Sequence, residues 1–184
     1  MELTLESIKD TLERYEFKIS TVPKTETLPF DQAFVFLGRD ETGRDWVLHL
    51  RLFEGQIPAS DGGKAQRMQF LNLFIHLPFR IKQEQYEQVC RLICILNKGV
   101  PLPAFGAGEA DNTLFYNYTY PSLDGTMDED VFLTLVGMVV HVLSSHIDSF
   151  EPVATGKQSL DEMMGEAKQY AAALSSDMEE VENA

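Results

Sequence analysis

The sequence is short of cysteine, which excludes the classes of protein that depend on a cysteine framework. Cys90 and Cys94 are the only two cysteines among 184 residues. Their spacing predicts that both lie on one face of a helix, and two thiols are too few ligands for a structural zinc site. Reduced thiols buried in a core are typical of cytosolic proteins. We therefore expect a cytoplasmic protein that needs no disulfide, metal or cofactor.

Basic residues are also scarce. Lysine and arginine number 15 against 29 aspartates and glutamates, which gives a formal net charge of -14. A surface this acidic repels nucleic-acid phosphates and anionic lipid headgroups. The longest apolar stretch, from Val131 to Val140, is shorter than the roughly 20 residues that span a bilayer. We expect no nucleic-acid partner and no membrane insertion.

Apolar residues are plentiful and follow two periodicities. Hydrophobic residues make up 44% of the chain, enough for one domain of this length to bury a sizeable core. Alternation of period two predicts strands, and spacings of three and four predict helices. The predicted fold is α+β, with an antiparallel sheet of about five strands packed by helices. The predicted order is α-β-β-β-(β)-α-β-β-α, followed by a C-terminal helix.

The strand predictions rest on two hairpins and one further strand. Ala33 to Leu37 and Trp46 to Phe53 flank a glycine-bounded polar turn, and Trp46, Leu48, Leu50 and Leu52 share one face. Glu54 to Lys64 reads as a loop, and Met68 to Phe79 as the further strand. The second hairpin pairs Leu102 to Ala107 with Thr113 to Tyr120.

The longest predicted helix begins at a Thr126–Glu129 capping box and ends at Pro152. Its apolar stripe covers more than the face that one sheet would bury, so we expect burial from two sides. We predict that a second copy of the chain buries the other side of this helix. The predicted interface residues of this homodimer are Val131, Leu135, Met138, Val139 and Val142.

The C-terminal segment is predicted to be acidic and helical. Ser159 and Glu162 form another capping box, which opens a helix to about Leu174, and Ser175 to Ala184 reads as a frayed acidic tail. The chain therefore divides into a single α+β domain over residues 1–157 and an acidic helix and tail over 158–184.

No residue pattern predicts catalysis. His141 and His146 are five apart on one helix, whereas a zinc pair needs a spacing of four. Asp124, Asp128 and Asp130 lie around the start of the long helix, and the helix dipole explains them. Tyr116, Tyr118 and Tyr120 alternate on one strand face, but they lack the neighbouring basic residues that base stacking requires. We predict no catalytic, cofactor-binding or metal-binding residue.

Three segments give the chain a family resemblance. They are Leu92 to Asn97, Leu114 to Tyr118 with the turn Leu123 to Gly125, and the helix Val131 to Phe150. With the element order, these segments resemble the type III secretion chaperone-like fold and, within it, the bacterial YbjN-like family, over nearly all of residues 1–157. The resemblance implies a homodimer that binds an unfolded or extended stretch of a client protein along apolar patches, without ATP.

The predicted function is therefore non-catalytic protein binding, as a chaperone-like or adaptor protein. The predicted partner-binding residues are Trp46, Leu48, Leu50, Phe74 and Phe79. An alternative is a regulatory protein that docks on a basic partner through its acidic helix, Ser159 to Leu174. A small hydrolase or metal-dependent enzyme using His49 or His76 is the remaining alternative.

Overall fold

The computed structural model describes residues 1–58, 65–102 and 104–182. The elements in chain order are α1 (Leu5–Arg14), β1 (Lys18–Val22), β2 (Asp31–Arg39), β3 (Asp45–Ile57), β4 (Gln66–Arg80), α2 (Tyr86–Gly99), β5 (Phe105–Gly108), β6 (Thr113–Ser122), α3 (Glu129–Ala154) and α4 (Leu160–Glu182). This confirms the predicted α+β class and element order, with six strands where about five were expected.

All six strands form one antiparallel sheet in the order β1-β2-β3-β4-β6-β5. The sheet is not a simple meander, because α2 separates β4 from the β5–β6 hairpin and β6 pairs with β4. In the centre, Leu50 lies opposite Leu73 and Leu52 opposite Leu71. Since side chains alternate across a strand, this register places the leucines of both strands on the same face.

The helices cover that leucine face and form the core with it. Leu48, Leu73 and Ile75 are fully buried there, and α3 contributes Phe132 and Phe150, which are also fully buried. The buried residues of α1 and α2 join the same cluster. The domain thus has two layers, with the sheet on one side and the helices on the other.

The long helix begins two residues later than the sequence predicts. Asp128 is its N-cap, and the side chain accepts hydrogen bonds from the backbone N–H groups of Asp130 and Val131. Thr126 is instead held in a β-bridge with Glu2, so the predicted capping box at Thr126 is wrong. A tertiary contact overrides the local capping signal, because the N-terminal residues pair with the segment that would otherwise begin the helix.

Helix α3 passes through Pro152 and ends at Ala154, beyond the predicted stop. A proline in the last turn removes only one backbone hydrogen bond, which the packing of the flanking turns tolerates. Among the described residues, α3 is the one helix long and apolar enough to cross a membrane by length and composition. Nine of its residues are buried within the fold, as in a core helix.

The ends of two predicted segments also differ. The Ser159–Glu162 capping box is present, with the Glu162 carboxylate accepting from the Ser159 N–H and the Ser159 hydroxyl accepting from the Glu162 N–H. However, α4 continues to Glu182 instead of ending near Leu174. Strand β3 extends to Ile57, so the predicted loop Glu54 to Lys64 begins later. Residues 59–64, 103, 183 and 184 lie outside the described residues.

Candidate functional site

The sheet face that points away from the helices, here called the open face, carries a layer of aromatic side chains. By register, its members include Lys18, Ser20, Val22, Gln32, Phe34, Phe36, Val47, His49, Arg51, Phe53, Gly55, Ile57, Met68, Phe70, Asn72, Phe74, His76, Arg80, Gly106, Gly108, Thr113, Phe115, Asn117, Thr119 and Pro121. None of its phenylalanines belongs to the core cluster or packs against it. Phe53 is 38% exposed and the other five are partly exposed.

Four of the rings form a continuous strip across β2, β3, β4 and β6. Phe34 contacts His49 edge to face with their centroids 4.8 Å apart. Phe74 lies 6.1 Å from His49 and 5.6 Å from Phe115, centroid to centroid. Aromatic pairs at these separations stabilise one another beyond their burial. Phe74 is therefore the centre of the strip.

Two glycines on neighbouring strands seat rings of the open face. A Cβ at Gly106 would lie 2.6 Å from Cε2 of Phe115, and one at Gly55 would lie 2.8 Å from Cε2 of Phe70. Both distances are well inside van der Waals contact, so each ring lies directly over its glycine. Phe70 also stacks on Phe53 at 5.2 Å. The glycines thus hold the rings flat against the sheet.

The named members of the open face include no aspartate or glutamate, although the chain has 29 of them. Its fixed charges are those of Lys18 and Arg51 and, at the end of β4, that of Arg80, which alternates with the buried Phe79. The guanidinium carbon of Arg51 lies 4.9 Å from the ring centroid of Phe74 and 5.8 Å from that of Phe30. A cation over ring faces at these distances is attracted by the ring quadrupoles. The open face is thus an apolar and weakly cationic surface on an acidic chain.

The two histidines of the open face favour the neutral form. Burial lowers the pKa of His49, and the nearby Arg51 charge lowers it further. Burial also lowers the pKa of His76, with Asp111 opposing that shift. Within the described part of the chain, no group of three or more His, Cys, Asp or Glu side chains is placed to hold a metal. The histidines act here as ring partners of Phe74, since His76 contacts it at 4.7 Å.

The predicted partner-binding residues do not form one surface. Leu48 is fully buried and Leu50 is 1% exposed, because both point into the helix-covered face. Trp46 packs partly buried against the same core, and Phe79 is buried in it. Of the five, only Phe74 lies on the open face, so the predicted set needs correction.

The open face itself is the feature that sequence reasoning missed. The sequence does carry a pattern that indicates this face. The outward positions of β3 include His49, Arg51 and Phe53, and those of β2 and β4 include further phenylalanines. Both faces of the sheet are therefore apolar in pattern.

Tyr116, one of the three alternating tyrosines of β6, is fully buried on the core side, and its burial raises its pKa to about 12.

The residues predicted for a dimer interface divide between the two sides of α3. Leu135, Val139 and Val142 are buried in the core, and Met138 is partly buried. Val131 is 43% exposed, and Val140, which lies outside the predicted set, is 37% exposed. Nine residues separate the two valines, which at about 100° per residue places them on opposite edges of the buried stripe, and Val140 lines a groove at the β2–β3 turn.

A groove of about 480 Å³ lies between the β2–β3 turn and α3. Arg44 lies at this groove and donates hydrogen bonds to both Glu151 oxygens, at 3.0 and 2.8 Å, and to Asp40 at 2.7 Å. Burial alone would raise the pKa of Asp40, but hydrogen bonds from Thr42 and Arg44 outweigh it and lower the pKa to about 2. These partners satisfy each other, so the cluster ties the turn to the helix.

No family model matches this chain, and neither does any curated protein or solved structure with which it was compared.

Proposed function

We propose that this chain is a non-catalytic, cytoplasmic protein-binding protein that holds an extended segment of a client protein on its open face. The observation that carries the proposal is the uncovered aromatic strip centred on Phe74. A contiguous apolar surface of this kind is uncommon on a monomer and is typical of interaction sites. The proposed activity matches what the resemblance to type III secretion chaperones and YbjN-like proteins implies.

The shape of the open face favours an extended occupant. The strip crosses four strands without a deep pocket among its described residues, and its rings present edges and faces along a line. Aromatic side chains supply large contact area at small conformational cost and dominate many interfaces. A client segment with alternating apolar side chains would place every second residue against these rings.

The proposed protein is a homodimer, and the edge of α3 that carries Val131 and Met138 is the proposed contact. Val131 is 43% exposed, and Met138, seven residues later on the same side of the helix, is partly exposed. Light scattering should report a dimer, and Val131→Asp should shift it toward the monomer. A monomer at high micromolar concentration would remove the dimeric part of the proposal.

A second candidate is docking on a basic partner through acidic helix α4. It is favoured by Asp161, whose side chain is 85% exposed even though it pairs with Arg91. Leu160, Met163 and Met164 pack in or against the core, so the test should spare them. Asp161→Asn combined with Glu166→Gln should leave client binding intact under the first proposal and abolish partner binding under the second.

The test of the first proposal is suppression of aggregation of insulin B chain released by reduction, followed by light scattering. The wild-type chain should suppress scattering at near-stoichiometric ratios. Phe53→Ser combined with Phe74→Ser should remove most of that effect. Tyr170→Ser is the matched control, because Tyr170 is 69% exposed on α4, outside the open face.

Circular dichroism and urea unfolding should accompany each variant. If the double variant fails to fold, Phe53→Ser alone serves, since this exposed ring contributes little to the core. Equal suppression by the wild-type chain, the open-face variant and the Tyr170 variant would refute the proposal. The absence of suppression by the wild-type chain would refute it as well.

A further inference from the structure

Arg51 is the one arginine of the described chain whose guanidinium makes no hydrogen bond. Five of the seven arginines pair with a carboxylate: Arg14, Arg39, Arg44, Arg67 and Arg91. Arg80 donates to the backbone carbonyl of Asp111 at 3.0 Å. Arg51 has no ion pair within residues 1–58, 65–102 and 104–182, and its buried Nε has no hydrogen-bond partner there.

The surroundings of Arg51 keep its guanidinium in place without neutralising it. Phe74 and Phe30 stack against it, at 4.9 and 5.8 Å from its central carbon. A guanidinium that stacks on aromatic rings still presents its N–H groups at its edge. Three carboxylates near the open face have partners of their own: Asp45 pairs with Arg39, Glu54 pairs with Arg67, and Asp111, which acts on His76, accepts a hydrogen bond from Thr113 at 2.7 Å.

Covering the open face is unfavourable, because it desolvates the Arg51 guanidinium, unless the occupant supplies a counter-charge. Binding of an apolar segment removes water from Arg51, and a buried charge without a counter-ion is strongly destabilising. A carboxylate from the occupant would compensate, since the planar guanidinium matches a carboxylate in two parallel hydrogen bonds. On this basis we propose that Arg51 selects client segments that carry an acidic side chain flanked by apolar ones. The inference rests on the proposed function.

Charge argues against two other occupants. A second copy using the same open face would bring Lys18, Arg51 and Arg80 together with the same three cations, with no carboxylate from the named members of either copy's open face. A single-stranded nucleic acid needs a basic track for its phosphates as well as stacking rings. The described residues of the open face offer three fixed positive charges, Lys18, Arg51 and Arg80, on a chain of net charge -14.

The experiment uses nine-residue peptides of the form Leu-Ser-Phe-Ser-X-Ser-Phe-Ser-Leu, which place X on the same side as the apolar residues. With the wild-type chain, X = Glu should bind about tenfold more tightly than X = Gln, as expected for one charge-assisted pair. X = Lys should bind more weakly than X = Gln. This series needs no protein variant, so it stays decisive if an Arg51 variant fails to fold.

Variants of Arg51 and Lys18 then show which cation is responsible for the preference. Arg51→Gln should abolish the preference for Glu over Gln, and Arg51→Lys should retain only part of it, because lysine lacks the fork. Lys18→Gln is the matched control and should leave the preference unchanged, since Lys18 lies over Phe36 on edge strand β1. The Nε–H signal of Arg51 in nitrogen-edited spectra should move with the Glu peptide and not with the Gln peptide.

The outcomes separate this inference from the function on which it rests. If Glu and Gln peptides bind equally and Phe53→Ser with Phe74→Ser abolishes both, the Arg51 inference is wrong while the open face remains a client site. If no peptide binds, both are wrong. Arg51-dependent binding of ten-nucleotide poly-dT, or Arg51-dependent self-association seen by light scattering, without a peptide preference would overturn the inference in favour of that occupant.

Discussion

Gly106→Ala tests whether a glycine on edge strand β5 holds Phe115 in the aromatic strip. The substitution is free of backbone strain, because Gly106 does not have a positive φ. The new Cβ would lie 2.6 Å from Cε2 and 2.7 Å from Cζ of Phe115. Carbon atoms pack at roughly 3.5–4.0 Å, so the ring must move outward by about 1 Å. That movement disturbs its stacking on Phe74, 5.6 Å away.

The magnitude follows from two opposing effects. Overpacking costs about 1–3 kcal/mol, and alanine regains about 0.5–1 kcal/mol over glycine through its lower conformational entropy. Gly106→Ala should therefore lower the free energy of unfolding by about 0.5–2 kcal/mol. In a Phe115→Ala background the ring is absent, so the same substitution should stabilise the chain by about 0.5–1 kcal/mol.

Urea unfolding of the four proteins in this double-mutant cycle measures the coupling directly. The sign reversal of Gly106→Ala between the two backgrounds is the critical result. Equal effects in both would refute the assignment of Gly106 as the seat of Phe115. Gly137→Ala is the control, because a Cβ there meets nothing within 4 Å and should stabilise α3 by about 1 kcal/mol.

Three further predictions concern the core, the helix cap and the groove. Phe150→Ala should lower the free energy of unfolding by about 3–5 kcal/mol in urea, because the ring is fully buried. Asp128→Ala should cost about 1 kcal/mol in the same assay through loss of the α3 cap. The pKa values of Asp40, about 2, and Glu151 lie below their ordinary values, so their pairing with Arg44 adds stability above about pH 4 that is lost toward pH 2. Arg44→Met should therefore destabilise the chain at pH 7 and flatten the loss of stability on acidification; an unchanged slope between pH 5 and 2.5 would contradict this.

The strand pattern predicts the fold well because period-two alternation is a property of single strands. Trp46, Leu48 and Leu50 were assigned to one face correctly, and the order of elements followed. Alternation does not say which face the helices cover, however, since here both faces are apolar. The helices cover the leucine-rich face, and the phenylalanine-rich face stays open. This is why four of the five predicted partner residues point into the core.

The helix boundaries show a second limit of local reasoning. Thr126 and Asp128 are both good N-cap residues, and the capping box favours the first. The choice is made by a β-bridge between Thr126 and Glu2, residues that are far apart in the chain. The special position of Arg51 is likewise a tertiary property, because it depends on which carboxylates the other arginines have taken.

The central claim is that the open face, and not α3 or α4, holds the client segment. The most direct measurement is a titration of isotope-labelled chain with the Glu-containing nine-residue peptide, followed by amide and aromatic nuclear magnetic resonance signals. We expect the largest shifts at Phe34, Phe74 and Phe115 and at the Nε–H of Arg51. Shifts concentrated on Val131 and Val140 of α3, or on α4, with the open-face signals unmoved, would contradict the account.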